Sequence, residues 1–203
     1  VSNIFYLWLC PMALAMCYYL IPKLTNSTIQ SYHLSSLALW TFVIFSSWAS
    51  LTPLIGGPIP VWLTTTSIVF SISLLLPIFI YSKSLIGTCL CNIKKFNSKM
   101  PLKFIALGSV LFITAILVKI LLSIRSFDII SHFSLINIGL EWHIIYGFFS
   151  MVIFGSFYYL LPILLKNSWD TNFYIKANFY SSVIGVTLLL ISLYVGGYIQ
   201  GCL

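Results

Sequence analysis

The sequence predicts an all-α, polytopic membrane bundle of about six transmembrane helices, and three observations predict it. The 203 residues are 60% hydrophobic and only 6% charged, with a mean hydropathy of +1.06. A soluble domain carries about 25% charged residues and needs a polar surface whatever its core. The apolar residues also run continuously rather than alternating, which argues against a membrane β-barrel. Finally, they fall into stretches of the length that spans about 30 Å of hydrocarbon, about 20 residues each.

In order, the expected helices cover 3–22, 34–52, 62–82, 103–123, 141–165 and 177–200, as one transmembrane domain over 1–203. The first run begins almost at Val1, as expected of a fragment of a longer protein or of one that starts abruptly. A cleaved signal peptide does not explain it, since a signal supplies one short apolar run. Pro22, Pro53 and Pro101 fall at segment ends, whereas Pro77 lies inside the third segment and predicts a kink. The longest connection, 83–102, is a polar basic loop.

The basic residues set the expected orientation. Lys23, Lys83, Lys94, Lys95, Lys99, Lys103, Lys166 and Lys176 all lie in odd-numbered loops, against Arg125 in an even one. Lys119 stands near a helix end, where it is expected to snorkel. Odd loops are therefore cytoplasmic, both termini are outside, and Trp48, Trp62 and Trp142 sit in the outer interfacial belt. Topology explains the net charge of +7, so the expected partners are the lipid bilayer and other membrane subunits, with no nucleic acid.

Chemistry-bearing residues are few. Cys10, Cys17 and Cys202 read as small residues in or near lipid, and the Cys89-x-Cys91 pair has no second pair to complete a metal site. Asp128 and Glu141 lie near the outer surface and Asp170 in a cytoplasmic loop, which leaves a proton-coupled carrier no mid-membrane carboxylate. The histidines are His33, His132 and His143, at three different depths. Haem or copper needs imidazoles that converge from facing helices. His132 and His143 are the candidate cofactor-binding residues; no catalytic residue and no metal ligand is assigned. Tyr-Tyr-Leu-Ile-Pro at 18–22 recurs as Tyr-Tyr-Leu-Leu-Pro at 158–162, both at cytoplasmic helix ends.

An ordered set of strings matches one family. It runs Tyr-Tyr-Leu-Ile-Pro-Lys (18–23), Ser-Tyr-His-Leu-Ser (31–35), Trp-Ala-Ser (48–50), Pro-Val-Trp (60–62), Val-Phe-Ser-Ile (69–72), Ser-Ile-Arg-Ser (123–126), Ser-His-Phe (131–133), Phe-Gly-Ser-Phe-Tyr-Tyr-Leu-Leu-Pro (154–162) and Gly-Gly-Tyr-Ile-Gln-Gly (196–201). In order and spacing the chain resembles the catalytic subunit, subunit I, of C-type haem–copper oxidases, the cbb-type cytochrome c oxidases. The resemblance covers nearly the whole chain and implies helices six to eleven of that subunit, the sixth starting on the outer face.

The resemblance also implies where metal ligands would stand. Copper-ligand positions fall near Val1 and at Thr52 and Pro53, and the redox-active tyrosine falls on Ser46. Measured back from Gly155, the His-x-His pair that holds the two haems falls on Leu140 and Trp142, and a family glutamate on Val118. His132 matches a loop histidine near haem propionates. His143 is one residue past a ligand position and, being turned by about 100°, is expected to point away from the haem face unless the helix has slipped.

Leucine, valine and tryptophan offer no lone pair to a metal, and threonine is a poor ligand in a site built from imidazoles. The expected function is thus a non-catalytic oxidase-like membrane subunit with a structural or assembly role in a respiratory complex, with no cofactor of its own. The alternative is an electron-transfer subunit that holds one haem b through His132 or His143. The resemblance places it in the bacterial inner membrane.

Overall fold

The computed structural model describes residues 4–28, 31–52, 57–90, 99–132, 134–166 and 172–202. Among these no strand occurs, and eight helical elements follow in order. They are α1 (Phe5–Thr25), α2 (Tyr32–Ala49), α3 (Val61–Ser73), α4 (Leu75–Leu90), α5 (Met100–Leu122), α6 (Arg125–Ser131), α7 (Leu135–Leu165) and α8 (Asn172–Cys202).

Among the described residues, 5 helices are long and apolar enough to cross a membrane: α1, α3 running into α4, α5, α7 and α8. The expected segment at 34–52 also folds, as the 18-residue α2, but serines, His33 and Thr41 dilute its apolar character. At 1.5 Å per residue it reaches about 27 Å, slightly less than the hydrocarbon thickness.

Local chemistry sets the ends. Ser31 caps α2, its Oγ accepting from the Leu34 N–H at 3.4 Å. Pro77 lacks an N–H, so the Ser73 carbonyl has no donor four residues on, and the helix breaks at Leu74 between α3 and α4. The kink thus lies where the sequence predicts one. Pro22 and Pro162 are each followed one turn later by a left-handed residue, Asn26 (φ 51°) and Lys166 (φ 50°). The two repeated strings therefore end their helices in the same way, one turn beyond the expected stop at Pro22.

Packing in lipid has little hydrophobic drive and depends on close contact between surfaces. α5 and α7 pair most closely, and Gly155 shows why: a Cβ there would come within 2.6 Å of Ile105 Cγ1 and 2.9 Å of the Pro101 carbonyl. α1 lies against both. α2 carries α3 and α4 on one flank, and α8 packs along the first turns of α7 on the other. Gly197 of α8 meets Ile136 so closely that a Cβ would stand 2.5 Å from its backbone nitrogen. An aromatic column joins five helices at mid-bundle: Phe112 lies 4.3 Å from Phe148, 5.5 Å from Phe42 and 5.9 Å from Tyr81, and Tyr81 lies 5.4 Å from Tyr18.

Lys23, Lys83, Lys99, Lys103, Lys166 and Lys176 all gather at the end of the bundle where α1, α4 and α7 stop and α5 and α8 start. Arg125 and α6 lie at the opposite end, where α2 and α5 stop and α7 starts. α7 begins at Leu135, a turn and a half before the expected 141, because Ser134 caps it and the Gln200 side chain accepts from the Leu135 N–H at 3.2 Å.

Candidate functional site

The two candidate histidines are not brought together. His132 caps the short α6, and its Nδ1 lies 3.4 Å from Asp128 Oδ1 one turn back. Asn137 fastens this corner by donating to the Ser131 and His132 carbonyls at 3.0 and 3.1 Å. Among the described residues, no group of three or more His, Cys, Asp or Glu side chains is arranged to hold a metal ion. Cys10 and Cys17 are buried and Cys202 is exposed. Cys91 and the Cys89 side chain lie outside the described residues.

His143 is buried, 5% exposed, more than two turns into α7. Residues His143–Ser150 form π-helical turns, and the imidazole lies on the face of the helix that also buries Leu140, Ile144, Gly147 and Phe148.

There the ring is fully engaged. Nε2 lies 3.3 Å from Thr114 Oγ1 on α5, and Nδ1 lies 3.1 Å from the Tyr194 hydroxyl on α8. Thr114 gives its own proton to the Leu111 carbonyl at 2.9 Å, so Nε2 carries the ring hydrogen and Nδ1 accepts from Tyr194. A haem iron needs a bare nitrogen lone pair facing open space. Here both nitrogens face protein, and a Cβ at Gly147 would already come within 3.0 Å of the His143 ring. The larger space nearby is a groove of about 270 Å³ between α7 and α8, lined by Tyr146, Ser150, Met151, Phe154, Ser182, Gly185, Val186 and Leu189. It offers neither imidazole nor thiolate. As placed here, His143 does not present a free ring nitrogen to a haem.

Lys119 corrects an expectation, because it does not snorkel. It is 4% exposed, and its Nζ lies 3.2 Å from the centre of the Tyr6 ring. The buried face of α5 explains this: Phe112, Ala115, Ile116, Lys119 and Ile120 recur at helical spacing. That spacing is the signal in the sequence. Proximity to the helix end conceals it.

A desolvated cation–π contact contributes about 2 kcal/mol to holding a buried ammonium. Beside it, a cavity of about 20 Å³ is lined by Thr52, Lys119, Leu122, Ser123, Asp128, Asn137 and Leu140.

Thr52 and Leu140 are two positions to which the oxidase resemblance assigns metal ligands, and the fold brings them to one cavity. Trp142 turns outward, 36% exposed and stacked 4.9 Å from Tyr146. Ser46 is buried and donates to the Val43 carbonyl at 3.1 Å. Val1 and Pro53 lie outside the described residues. The sequence reading did not single out Tyr6, Thr114 or Tyr194, which are ordinary apolar-helix residues until their neighbours are known.

Residues 1–203 match the family described as Cytochrome C and Quinol oxidase polypeptide I. Among curated proteins, the chain is similar to a cytochrome c oxidase subunit 1 homolog of Azorhizobium caulinodans, at 26% identity over 93% of this chain and 34% of that protein. It is likewise similar to the cbb3-type cytochrome c oxidase subunit CcoN1 of Stutzerimonas stutzeri, at 25% over 93% and 40%. A cytochrome c oxidase subunit 1 homolog of Agrobacterium tumefaciens shows 26% over 92% and 35%. The chain thus spans between 34% and 40% of the length of these relatives. Together with a helical membrane bundle and the ordered strings, the whole-chain match places the chain in the cytochrome c and quinol oxidase polypeptide I family.

Proposed function

We propose that the chain is a non-catalytic oxidase-like membrane subunit with a structural or assembly role in a respiratory terminal oxidase complex. One observation supports this above the others. Thr52 and Leu140, two of the ligand positions, line one small cavity together with Lys119, and His143 has both nitrogens bound by the protein itself. The partners in this reading are other membrane subunits, contacted through the exposed helix faces. The apolar segments act as one transmembrane domain in a bacterial inner membrane, with the lysine-rich end cytoplasmic and the termini outside.

Purification in mild detergent tests it. Terminal oxidase subunits are expected to co-purify, and the isolated chain is expected to give a reduced-minus-oxidised spectrum without haem bands. Haem bands carried by the chain itself would sink the reading.

The second reading, an electron-transfer subunit with one haem b, draws support only from the burial of His143 inside the bundle. It requires Thr114 and Tyr194 to release the ring. A haem signal abolished by His143→Leu would establish it, and a signal unchanged by His132→Leu and His143→Leu would remove it.

A further inference from the structure

The two copies of the repeated Tyr-Tyr-Leu-x-Pro string meet at one point of the surface. In the first copy, on α1, the Tyr19 hydroxyl accepts a hydrogen bond from Lys23 Nζ at 2.7 Å. The same ammonium lies 4.9 Å from the centre of the Tyr19 ring. It also lies 5.8 Å from the centre of the Tyr159 ring, which belongs to the second copy, on α7. Lys23 and Tyr19 are both exposed. In this pair the tyrosine hydroxyl keeps its own hydrogen, and the ammonium keeps two of its three N–H bonds.

Two exposed donor atoms 2.7 Å apart, one of them charged, suit a group with several anionic oxygens, such as a phosphate. Along the same face of α1, Ala15 and Met12 are exposed one and two turns deeper in the apolar span. A ligand that fits this strip has an oxyanion at the helix end and an apolar tail beside the helix. The charge around it narrows the choice of head. Six of the described lysines gather at this end, whereas the described acids, Asp128 and Glu141, lie toward the other. A headgroup with its own ammonium gains little from such a field, and a net anionic one is drawn to it. We propose that Lys23 and Tyr19 bind the phosphodiester of an anionic phospholipid whose acyl chain lies along Ala15 and Met12. The Tyr159 ring helps to hold the ammonium in place for it. The lipid site does not rest on the function proposed above.

Native mass spectrometry of the full chain in mild detergent tests it, by titration with phosphatidylglycerol or phosphatidylcholine of the same acyl chains. The anionic lipid is expected to bind at least about fivefold more tightly; equal affinities would overturn the proposal. Lys23→Gln is expected to weaken phosphatidylglycerol binding about fivefold, and Lys23→Arg to retain it. Tyr19→Phe keeps the ring, loses the donor and is expected to cost about twofold or more. Unchanged binding by Lys23→Gln would refute the site. Lys176→Gln, which removes a lysine of the same end from α8, is expected to leave binding as it was. A loss there as large as that of Lys23→Gln would show a diffuse field rather than a site, and the proposal would fall. Inorganic phosphate separates a lipid from a free anion. It is expected to bind far more weakly, because the apolar strip adds nothing for it; affinity equal to that of the lipid would sink the lipid assignment.

Discussion

His143 and Lys119 are both ionisable, both buried in the same bundle and both carried by its two most closely packed helices, yet they are accommodated in opposite ways. His143 is closed off: one helix on each side supplies a hydroxyl, and the neutral ring uses one nitrogen as donor and the other as acceptor. Lys119 cannot be treated so, because an ammonium has only donors. Its Nζ meets an aromatic face on α1, and the residue also borders a small cavity lined by Thr52, Ser123, Asp128 and Asn137 among others. A neutral polar group in a membrane protein can be finished by two side chains. For Lys119 the partner is the face of a ring. The difference separates a position closed by two hydrogen bonds from one held through an aromatic face.

The sharpest way to break that comparison is to remove the ring beneath the ammonium. Tyr6→Ala deletes a buried aromatic side chain and leaves Lys119 facing a void. A loss of about 3–5 kcal/mol is expected, the range for aromatic-to-alanine changes in cores. Thermal unfolding in detergent and the yield of folded protein would show it. A loss near 1 kcal/mol would mean that the ring contributes little to holding the charge.

His143→Leu comes next. Removing the imidazole leaves the Tyr194 hydroxyl without its acceptor and Thr114 without its donor, for an expected cost of about 1–3 kcal/mol. The loss should shrink when Tyr194→Phe is combined with it, because the stranded hydroxyl is then gone. Equal losses in the two backgrounds would show that His143 and Tyr194 are not partners.

Much of this architecture was legible in the sequence and the facing of its polar residues was not. Long apolar runs fix where helices lie, and Pro77 marks the break at Leu74, because hydropathy and a missing N–H act locally. The start of α7 was misread because Asn137 and Glu141 interrupt the apolar run, although Ser134 and Gln200 cap the helix before them. The burial of His143 was not legible, because nothing in His-Ile-Ile-Tyr-Gly announces π turns or the partners on α5 and α8. Lys119 was misread for another reason: distance from a helix end gives depth, while the neighbouring helix decides whether the side chain faces lipid or protein. The ring comes from α1 and the other cavity-lining residues from the turn after α2, from α5 and its C-cap, and from α6 and α7, and no local window contains them.

The smallest expected effect discriminates most finely. The Tyr6 hydroxyl is buried and has no hydrogen-bond partner among the described residues, while the ring face meets Lys119. An unpartnered buried hydroxyl contributes a desolvation cost and no compensating bond. Phenylalanine keeps the ring, and its face attracts a cation much as that of tyrosine does. Tyr6→Phe is therefore expected to change stability by less than about 0.5 kcal/mol, or to raise it by up to about 1 kcal/mol. Unfolding curves measured beside Tyr6→Ala would separate the ring from the hydroxyl. A loss above about 1 kcal/mol on removing one oxygen would reveal a partner for the hydroxyl, and the charge on Lys119 would then be held by a polar network rather than by an aromatic face.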